Sequence, residues 1–385
     1  MNNWQIKSLG EICTIQTGKY DANHAKDNGK YRFYTCAFEF MYCDTNRFNG
    51  ECIILPGNGA NVGEVFYYNG EFDAYQRTYV LNNIKTNSKY LFYHLQGNWK
   101  RKNQDKQFGS ATNYIRIGNF TDYEVPVPPL ETQQAIVSKI EELFSKLDKG
   151  IEDLKNAQQQ LKTYRQSVLK WAFEGKLTNE IVKDGELPKC WRNEELNNLA
   201  EMRLGKMLDK NKNKGNYHYY LGNISVRWGT FNFDKLSQMR FEESEEEKYD
   251  LKDGDLVICE GGEPGRCAIW KKDFPKMKIQ KALHRVRVNN NLSVKFLFHF
   301  IYYSGITGSL EKYFTGTTIK HLTGNGLKKV RIPLPNLVEQ HHIVQEIESR
   351  LSVADKMEES IVQSLLQAEA LRQSILKKAF SGELV

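Results

Sequence analysis

The sequence predicts an α+β fold in which two α/β globular domains are separated by two long antiparallel coiled-coil helices, with an internal pseudo-twofold repeat. Three observations predict it. Residues 125–178 recur without a gap as residues 332–385. Each copy has apolar residues at coiled-coil spacing. The stretches before the two copies alternate short apolar runs with turn residues, which is typical of strands joined by tight turns.

The repeat matches each residue to one 207 positions later. Pro126 matches Pro333, Gln133 matches Gln340, and the run RQS occurs at both 165–167 and 372–374. Solenoid repeats hold only about 20–45 residues, so a period of this length excludes a solenoid. The match indicates two halves built to one plan. It predicts four segments, with the bounds 1–124, 125–178, 179–331 and 332–385.

Both copies predict a long helix. In the first copy, Pro128 and Pro129 cannot lie inside a helix, so we expect the helix to begin near Glu131, and Gly175 suits the position just after its end. About 43 residues at 1.5 Å each correspond to a rod of roughly 65 Å. Two apolar seams are expected along it, at Ile140, Leu147, Leu154, Leu161 and Val168, and at Ile136, Leu143, Gly150, Ala157, Tyr164 and Trp171. The second copy holds the same seams at Ile343, Ile347, Ala354, Met357, Ile361, Ala368, Leu371 and Ile375, with polar breaks at Arg350, Ser364 and Lys378.

Each helix has a seam too narrow for a complete core, so the two helices most simply pair with each other. Antiparallel pairing would place the two domains at opposite ends and the C-terminus near the Met1 end of the first domain. The small residues Gly150 and Ala157 would let the partner helix come close. Other apolar residues lie off the main seam, and we expect them to contact partner subunits: Val137, Phe144, Leu351 and Leu365.

The two globular domains follow the same order of elements. Domain 1 (1–124) predicts strands at YRFYTCAFEF, ECIILP, EVFYY and RTYVL, and a helix over 88–102. In domain 2 (179–331), residues 293–305 match that helix. The pair Gly205-Lys206 repeats Gly18-Lys19 at a distance of 187 positions.

Composition is compatible with a nucleic-acid partner. The net charge is +7 and the pI is about 8.8, although an evenly spread basic excess would also give these values. No apolar run is long enough for a transmembrane helix, and the N-terminus lacks the layout of a signal peptide. Seven cysteines without a CxxC pair favour free thiols in a cytoplasmic protein, with a zinc site as the alternative.

Motifs that carry catalysis are absent from the sequence. It contains no phosphate loop of the GxxxxGK[ST] type and no HExxH metal motif. Gly57, Gly59 and Gly63 depart by one residue from the dinucleotide-binding pattern, and we interpret them as turn residues. The segment VPPL at 127–130 shares only its two prolines with the motif that holds the target amine in amino-methyltransferases. The sequence therefore predicts that this chain is not an enzyme.

The repeated motifs resemble those of a known family. PVPPLETQQAIVSKI and RQSVLKWAFEGKL in the first copy, and PLPNLVEQHHIVQEI and RQSILKKAFSGEL in the second, are similar to the specificity subunits of Type I restriction-modification enzymes. The segments GNISVRWGTF and LKDGDLVICEGGEPGRCAIW of domain 2 also look like that family. Asn336, where the first copy has Pro129, is a small departure.

The resemblance implies a non-catalytic role in DNA recognition. Each globular domain would be a target recognition domain that reads one half of a bipartite, asymmetric site in double-stranded DNA. The helices would set the unread spacer and dock two methyltransferase subunits, and two restriction (motor-nuclease) subunits would join in the full complex. S-adenosylmethionine would bind to the methyltransferase, so no cofactor is expected in this chain.

Candidate DNA-binding residues are polar side chains on loops with glycines, where the backbone can approach phosphate and side chains can reach base edges. In domain 1 they are Lys19, Tyr20, Asn58, Asn61, Gln76, Arg77, Ser110, Thr112, Asn113 and Tyr114. In domain 2 they are Lys206, Asn223, Arg227, Glu260, Arg266, Thr317, Lys320 and His321. Each could instead be a turn former or a solvated surface residue. Two alternatives for the whole chain remain, a stand-alone two-headed DNA-binding regulator and a coiled-coil adaptor.

Overall fold

The computed structural model describes residues 4–103, 113–179, 182–183, 185–209 and 211–385. It divides into two compact units. Unit 1 holds residues 1–156 and 361–385, and unit 2 holds residues 157–360. Each unit therefore combines one globular domain with the first half of one long helix and the second half of the other.

The first half of the chain contains nine described strands and four helices. The strands are β1 (Gln5–Ser8), β2 (Thr14–Thr17), β3 (Tyr31–Tyr34), β4 (Met41–Cys43), β5 (Glu51–Pro56), β6 (Phe66–Asn69), β7 (Phe72–Ala74), β8 (Thr78–Asn82) and β9 (Glu124–Val127). The helices are α1 (Leu9–Ile12), α2 (Ser88–Asn103), α3 (Ile117–Thr121) and the long α4 (Leu130–Phe173). The strands predicted at ECIILP, EVFYY and RTYVL and the helix predicted over 88–102 are confirmed within two residues of their expected bounds. The first predicted strand, YRFYTCAFEF, was too long, since β3 ends at Tyr34 and residues 35–40 form a loop.

The second half repeats this order with small additions. Its described strands are β10 (Arg192–Glu195), β11 (Ala200–Leu204), β12 (Asn216–Leu221), β13 (Val226–Arg227), β14 (Thr230–Phe231), β15 (Ser237–Phe241), β16 (Leu256–Cys259), β17 (Cys267–Ile269), β18 (Lys278–Ile279), β19 (Leu283–Val288) and β20 (Arg331–Leu334). Its helices are α5 (Glu246–Tyr249), α6 (Val294–Ile306), α7 (Gly324–Lys328) and the long α8 (Leu337–Ser381).

The sheets of the two domains have matching topology. Domain 1 has an antiparallel sheet in the order β2-β8-β5-β6 and a smaller sheet β4-β3-β7, in which β3 and β7 are parallel. Domain 2 has the order β11-β19-β16-β17 and a smaller sheet β15-β12-β18, in which β12 and β18 are parallel. In each domain the strand before the long helix pairs with the first strand, as β1-β9 and β10-β20. The duplication thus extends from the helices to the domains.

The long helices begin and end where proline and glycine predict. In both copies the helix starts directly after the proline-rich strand end, since α4 begins at Leu130 and α8 at Leu337. After the ends, Gly175 and Gly382 have φ angles of 78° and 79°, a left-handed conformation that favours glycine. The predicted helix bounds are confirmed.

The helices run antiparallel within each unit. In unit 2, Arg165 donates to Asp355 at 2.5 Å and to Glu358 at 2.9 Å. In unit 1, Arg372 pairs with Asp148. These are the same two positions of the repeat with donor and acceptor on exchanged helices, so one ion pair is used twice. The last turn of α8 and the residues after it pack against the core of domain 1, as predicted, where Phe380 and Leu384 lie in the same cluster as Trp4.

The apolar seams are confirmed only in part. Ile140, Leu161 and Val168 are buried, and the equivalent positions of α8 are buried from Ile347 to Ile375. The second seam departs from the prediction, because several of its members are exposed: Tyr164, Trp171, Met357 and Leu371. The prediction that the small Gly150 lets the partner helix come close was wrong, since a Cβ atom there would meet nothing within 4 Å.

The expectation for the off-seam apolar residues also needs correction. Val137 and Phe144 are buried in the core of unit 1, where Phe144 lies against Tyr93 with ring centroids 5.8 Å apart. Leu351 packs against the core of unit 2. These side chains hold each helix to its own globular domain. They are therefore not free to receive a partner subunit.

The glutamine of the repeated motif joins each helix to its domain. Gln133 Oε1 accepts from Asn87 N at 2.8 Å, and its Nε2 donates to Pro128 O at 2.8 Å. Gln340 makes the same pair of bonds with Ser293 N and Pro335 O. Both glutamines are buried. Because they satisfy backbone groups just before α2 and α6, they fix the angle between the long helix and the domain helix.

Candidate nucleic-acid interface

Three loops of domain 1 meet at one edge of its larger sheet. The loop 57–63 follows the buried strand β5. Its backbone is bonded to both neighbouring loops: Gly57 N donates to Arg77 O at 2.9 Å, Ile115 N donates to Gly57 O at 2.9 Å, and Gly59 N donates to Asn113 O at 2.8 Å. Five predicted residues are thereby brought together: Asn58, Gln76, Arg77, Asn113 and Tyr114.

These loops line an open cleft of about 630 Å³. Gly57 is required at its base, because a Cβ atom there would lie 2.3 Å from Arg77 O. Gln76 and Arg77 are exposed, and so are Asn113 and Tyr114. The described polar side chains that line the cleft are Asn58, Gln76, Arg77, Tyr79, Tyr114 and Arg116. Amide and guanidinium groups of this kind can form paired hydrogen bonds to base edges or phosphates.

The remaining candidates of domain 1 lie beside this cleft or in supporting roles. Lys19 is exposed, whereas the ring of Tyr20 is stacked on His24 with centroids 3.7 Å apart. Asn61 Nδ2 donates to Cys36 O at 2.9 Å and so holds a further loop in place. The candidates Ser110 and Thr112 lie outside the described residues.

In domain 2 a network around Arg266 organises the loops. Arg266 donates to Asn223 Oδ1 at 2.9 Å and to Glu263 Oε2 at 2.9 Å. Asn223 Nδ2 in turn donates to Gly261 O at 2.6 Å, and Trp228 Nε1 donates to Glu263 Oε1 at 2.7 Å. The Arg266 side chain is only 16% exposed. Its guanidinium group holds these loops in position, which leaves less of it available to contact DNA than the sequence predicted.

Exposed candidates of domain 2 stand on a short hairpin loop. Thr315 and His321 exchange two backbone hydrogen bonds of 2.8 and 2.9 Å, and the residues between them are exposed. Thr317, Lys320 and His321 are thus held outward together. The ring of His321 lies close to Gly261, and Leu322 N donates to the Glu260 carbonyl at 2.7 Å, so this hairpin joins the loop that follows β16. Arg227 is also exposed, and Glu260 is half-buried.

The structure places Lys206 inside the domain, unlike the exposed position that the prediction assumed. Its ammonium group pairs with Glu245 and donates to Arg240 O at 3.0 Å. Burial acts to raise the pKa of the Glu245 carboxyl, but the hydrogen bonds from Lys206 and from the Glu242 backbone, together with the charges of Lys206 and Lys248, outweigh it and lower the pKa. Glu245, which lies in the acidic run 242–247, therefore neutralises a buried lysine.

Several exposed residues at these edges were missed. Arg116 lines the cleft of domain 1, and Phe38, Ile224 and Ile319 are large apolar side chains on loops near the candidate residues. The predicted candidates are polar residue types, so apolar residues on loops are not among them. For Ile224 a useful signal would have been an isolated apolar residue among the turn residues Gly222, Asn223 and Ser225, whereas Phe38 fell inside the predicted strand YRFYTCAFEF.

Within the described residues, no group of three or more His, Cys, Asp or Glu side chains could hold a metal ion. All seven cysteines have free thiols. Burial raises the pKa of the Cys13 thiol to about 12 and that of Cys259 to about 11, so these two are poor nucleophiles and ligands. The described helices include none that is long and apolar enough to cross a membrane.

Comparison with known proteins identifies the family. A family model described as "Type I restriction modification DNA specificity domain" matches residues 1–159 and 188–366. The Type I restriction enzyme EcoDI specificity subunit of Escherichia coli is 29% identical over an aligned length of 401 residues, covering 99% of this chain and 89% of that protein.

Solved structures agree at the level of the fold. A chain from a study titled "Structural basis underlying complex assembly and conformational transition of the type I R-M system" has a TM-score of 0.71 at 16% identity, covering 100% of this chain and 99% of that one. The HsdS subunit from Thermoanaerobacter tengcongensis has a TM-score of 0.61 at 17% identity, covering 99% of this chain and 97% of that one. Because the family model matches most of both halves, the chain belongs to the DNA specificity subunits of Type I restriction-modification systems, which are non-catalytic DNA-recognition proteins.

Proposed function

We propose that each globular domain is a target recognition domain that reads one half of a bipartite, asymmetric site in double-stranded DNA. The observation that carries this proposal is that one backbone arrangement of loops occurs in both domains with different side chains on it. Two domains with the same backbone arrangement but different contact side chains suit a DNA site whose two halves differ in sequence. Membership of the DNA specificity family supports the same conclusion.

The proposed contact residues are the exposed polar side chains at the two loop edges, together with the half-buried Asn58. In domain 1 they are Lys19, Asn58, Gln76, Arg77, Asn113 and Tyr114, joined by Arg116. In domain 2 they are Arg227, Thr317, Lys320 and His321. Arginine suits guanine and glutamine suits adenine in the major groove, whereas Lys320 suits a phosphate. Asn61, Asn223, Glu260 and Arg266 hold the loops that present them, and Tyr20, Ser110 and Thr112 remain predictions.

The long helices are proposed to set the unread spacer between the half-sites. Inserting one heptad at equivalent positions of α4 and α8 keeps the seam and lengthens each helix by about 10 Å. The recognised site should then gain about three unread base pairs, at about 3.4 Å each. An unchanged spacer in a stable heptad variant would contradict this role.

The exposed apolar positions of the helices are proposed to dock two methyltransferase subunits. Tyr164 and Leu371 occupy equivalent positions of the repeat, one in each unit, and are 37% and 51% exposed. Two equivalent apolar positions suit two copies of one partner. The variants Tyr164→Asp and Leu371→Asp should each lower the number of bound methyltransferase subunits from two to one, as measured by native mass spectrometry. Retention of both subunits in both variants would contradict the docking proposal.

Other partners follow from the family. Two restriction subunits are proposed to join the assembly, and S-adenosylmethionine is proposed to bind to the methyltransferase. The protein is expected to act where the DNA is, in the cytoplasm.

Co-expression with the methyltransferase subunit, followed by sequencing of methylated sites, tests the proposed function. The proposal expects a bipartite methylated motif that disappears from cells without this chain. No change in methylation would overturn it. Tight binding to a site by this chain without the methyltransferase would instead favour a stand-alone regulator.

A further inference from the structure

A large apolar side chain is exposed on an equivalent loop of each domain. In domain 1, residues 35–40 follow β3, and Phe38 in this loop is 70% exposed. In domain 2, residues 222–225 follow β12 and precede β13, and Ile224 is 65% exposed. Isolated exposed apolar residues are common on protein surfaces. The significance of these two depends on where their loops lie.

Backbone hydrogen bonds establish that the loops are equivalent. Tyr75 N donates to Tyr34 O at 2.9 Å, and Gln280 N donates to Leu221 O at 3.1 Å. Each bond continues the parallel pairing at the end of the strand, β3 with β7 and β12 with β18. Tyr34 and Leu221 are therefore the same position of the fold. Phe38 follows it by four residues, and Ile224 follows it by three.

Both loops are tied to the candidate DNA interface at the second residue after that position. Asn61 Nδ2 donates to Cys36 O at 2.9 Å, and Asn223 Nδ2 donates to Gly261 O at 2.6 Å. In domain 1 the loop after β3 supplies the acceptor, whereas in domain 2 the loop after β12 supplies the donor. Different residues therefore make the same connection between loops in the two domains. In domain 1, Cys36 Sγ also lies 3.4 Å from the carbonyl oxygen of Arg77, a lining residue of the cleft.

The surroundings of the two apolar side chains suit DNA. Arg227 donates to Ile224 O at 2.8 Å, which holds a guanidinium group beside the Ile224 backbone. In domain 1 the loop adjoins the cleft lined by Gln76, Arg77 and Arg116. The ring of Phe38 itself lies edge-on to Phe66, with centroids 5.7 Å apart. A loop that carries one exposed apolar group next to cationic and amide side chains matches a base edge that carries one methyl group between polar atoms and phosphates.

We propose that Phe38 and Ile224 are specificity-determining residues, each of which contacts the 5-methyl group of a thymine in the half-site that its own domain reads. The inference rests on the proposed function. The thymine methyl is the apolar group that bases present in the major groove, and apolar side chains are its partners there. Apart from the methyl group of Thr317, the candidates of the same edges present polar groups, so these two residues supply the main apolar part of the readout.

The experiment uses the chain assembled with its methyltransferase subunits and a duplex with the motif obtained by methylation-site sequencing. Each specified thymine is replaced, one at a time, by deoxyuridine, which lacks only the methyl group. The wild-type complex should lose about fourfold in affinity at one position of each half-site, as expected for one methyl group removed from an apolar contact. Phe38→Ala should abolish that difference in one half-site only, and Ile224→Ala should abolish it in the other.

Matched controls separate this contact from general loss of apolar surface. Ile6 and Ile306 are exposed in the same two domains but lie on β1 and α6, so Ile6→Ala and Ile306→Ala should keep both deoxyuridine effects. Phe38→Leu should keep most of the effect in its half-site. Thermal unfolding of each complex confirms that the variants are folded.

Several outcomes overturn the inference. They are equal affinity of the wild type for thymine and deoxyuridine at every position, persistence of the difference in Phe38→Ala and Ile224→Ala, and an equal loss for both bases in these variants. The last outcome would indicate a wedge between base pairs or a contact outside the bases. A failure of the proposed function is distinguishable, because no chain-dependent bipartite motif would then be found.

Discussion

The two globular domains share a backbone arrangement but use the same positions differently. Gly18 N donates to Thr78 O, and Gly205 N donates to Leu283 O, so the two glycines are equivalent. The next bonds come from Gln76 N to Tyr20 O and from Lys281 N to Lys206 O, each at 2.8 Å. Tyr20, and not Lys19, is therefore the structural counterpart of Lys206.

This difference corrects the sequence match and shows what the duplication has preserved. The turn of domain 1 holds one more residue, and Lys19 occupies that additional place on the surface. In domain 2 the lysine side chain enters the interior and pairs with Glu245. The two domains share these main-chain hydrogen bonds but differ in the side chains at the bonded positions. Specificity can thus change at loop positions while the fold stays the same.

The largest effect is expected at the shared positions. Gln133→Ala removes two bonds to backbone groups beside α2, and Gln340→Ala does the same beside α6. Each variant should lower the free energy of unfolding of its own unit by about 2–4 kcal/mol, since unsatisfied buried groups cost about 1–3 kcal/mol each. Hydrogen exchange resolved along the chain measures this. Similar losses in the two units would support their equivalence, and a loss in only one would break it.

An effect within the same range is expected at the position where the domains differ. Glu245→Gln leaves the buried ammonium group of Lys206 without its counter-charge and should destabilise unit 2 by about 3 kcal/mol. Adding Lys206→Met removes the buried charge and should recover most of the loss. The control Lys19→Met in domain 1 should leave stability unchanged, since Lys19 is exposed. Urea denaturation measures these changes. An unchanged free energy of unfolding in Glu245→Gln would contradict this account.

A pH dependence should appear in both units. Burial lowers the pKa of His94 to about 3 and that of His299 to about 4, below the ordinary value of 6.5. In the folded protein the two histidines stay neutral, while in the unfolded chain they gain protons below pH 6.5. Their contribution to the free energy of unfolding is therefore complete above pH 6.5. It is lost as the pH falls towards 4 for His299 and towards 3 for His94. Each should cost about 1.4 kcal/mol per pH unit within that window. Urea midpoints between pH 7 and 5 should fall less steeply in His94→Phe and His299→Phe, and equal slopes in wild type and variants would refute the assignment.

The smallest effect is expected for the ion pair used twice. Arg165→Met and Arg372→Met should each cost about 0.5–1 kcal/mol, because their carboxylate partners are largely exposed. The loss should shrink in 1 M salt, where screening weakens such pairs. Thermal unfolding at low and high salt measures it. A loss of equal size at both salt concentrations would assign these arginines to packing, for instance of Arg372 on the ring of Phe144, 4.4 Å away.

The sequence predicts features that depend on neighbouring residues alone. Proline before the helix and glycine after it determine the bounds of α4 and α8 locally, and the alternation of apolar runs and turns locates most strands. The seams were predicted less well because each helix has two partners. Phe144 packs into a globular domain and Tyr164 is exposed, and a heptad pattern cannot distinguish these environments.

The candidate interface shows the same division. Gln76 and Arg77 lie on an exposed turn, as their sequence surroundings indicated. Lys206 also follows a glycine, but Glu245 lies 39 residues away in sequence and neutralises it inside the domain. Contacts of that kind depend on tertiary structure, so local sequence gives no sign of them. Phe38 and Ile224 were missed for a different reason. Apolar residues are expected in a core, so no contact with DNA was predicted for them.

The central claim is that each domain reads its own half-site through the loops of its own edge. The most direct measurement is methylation-site sequencing in cells that express the methyltransferase with either of two variants, Gln76→Ala with Arg77→Ala in domain 1, or Thr317→Ala with Lys320→Ala in domain 2. The account predicts that the first variant relaxes or weakens one half of the bipartite motif, the second affects only the other half, and the spacer is unchanged in both. Changes in the same half, or an unaltered motif in both variants, would contradict it.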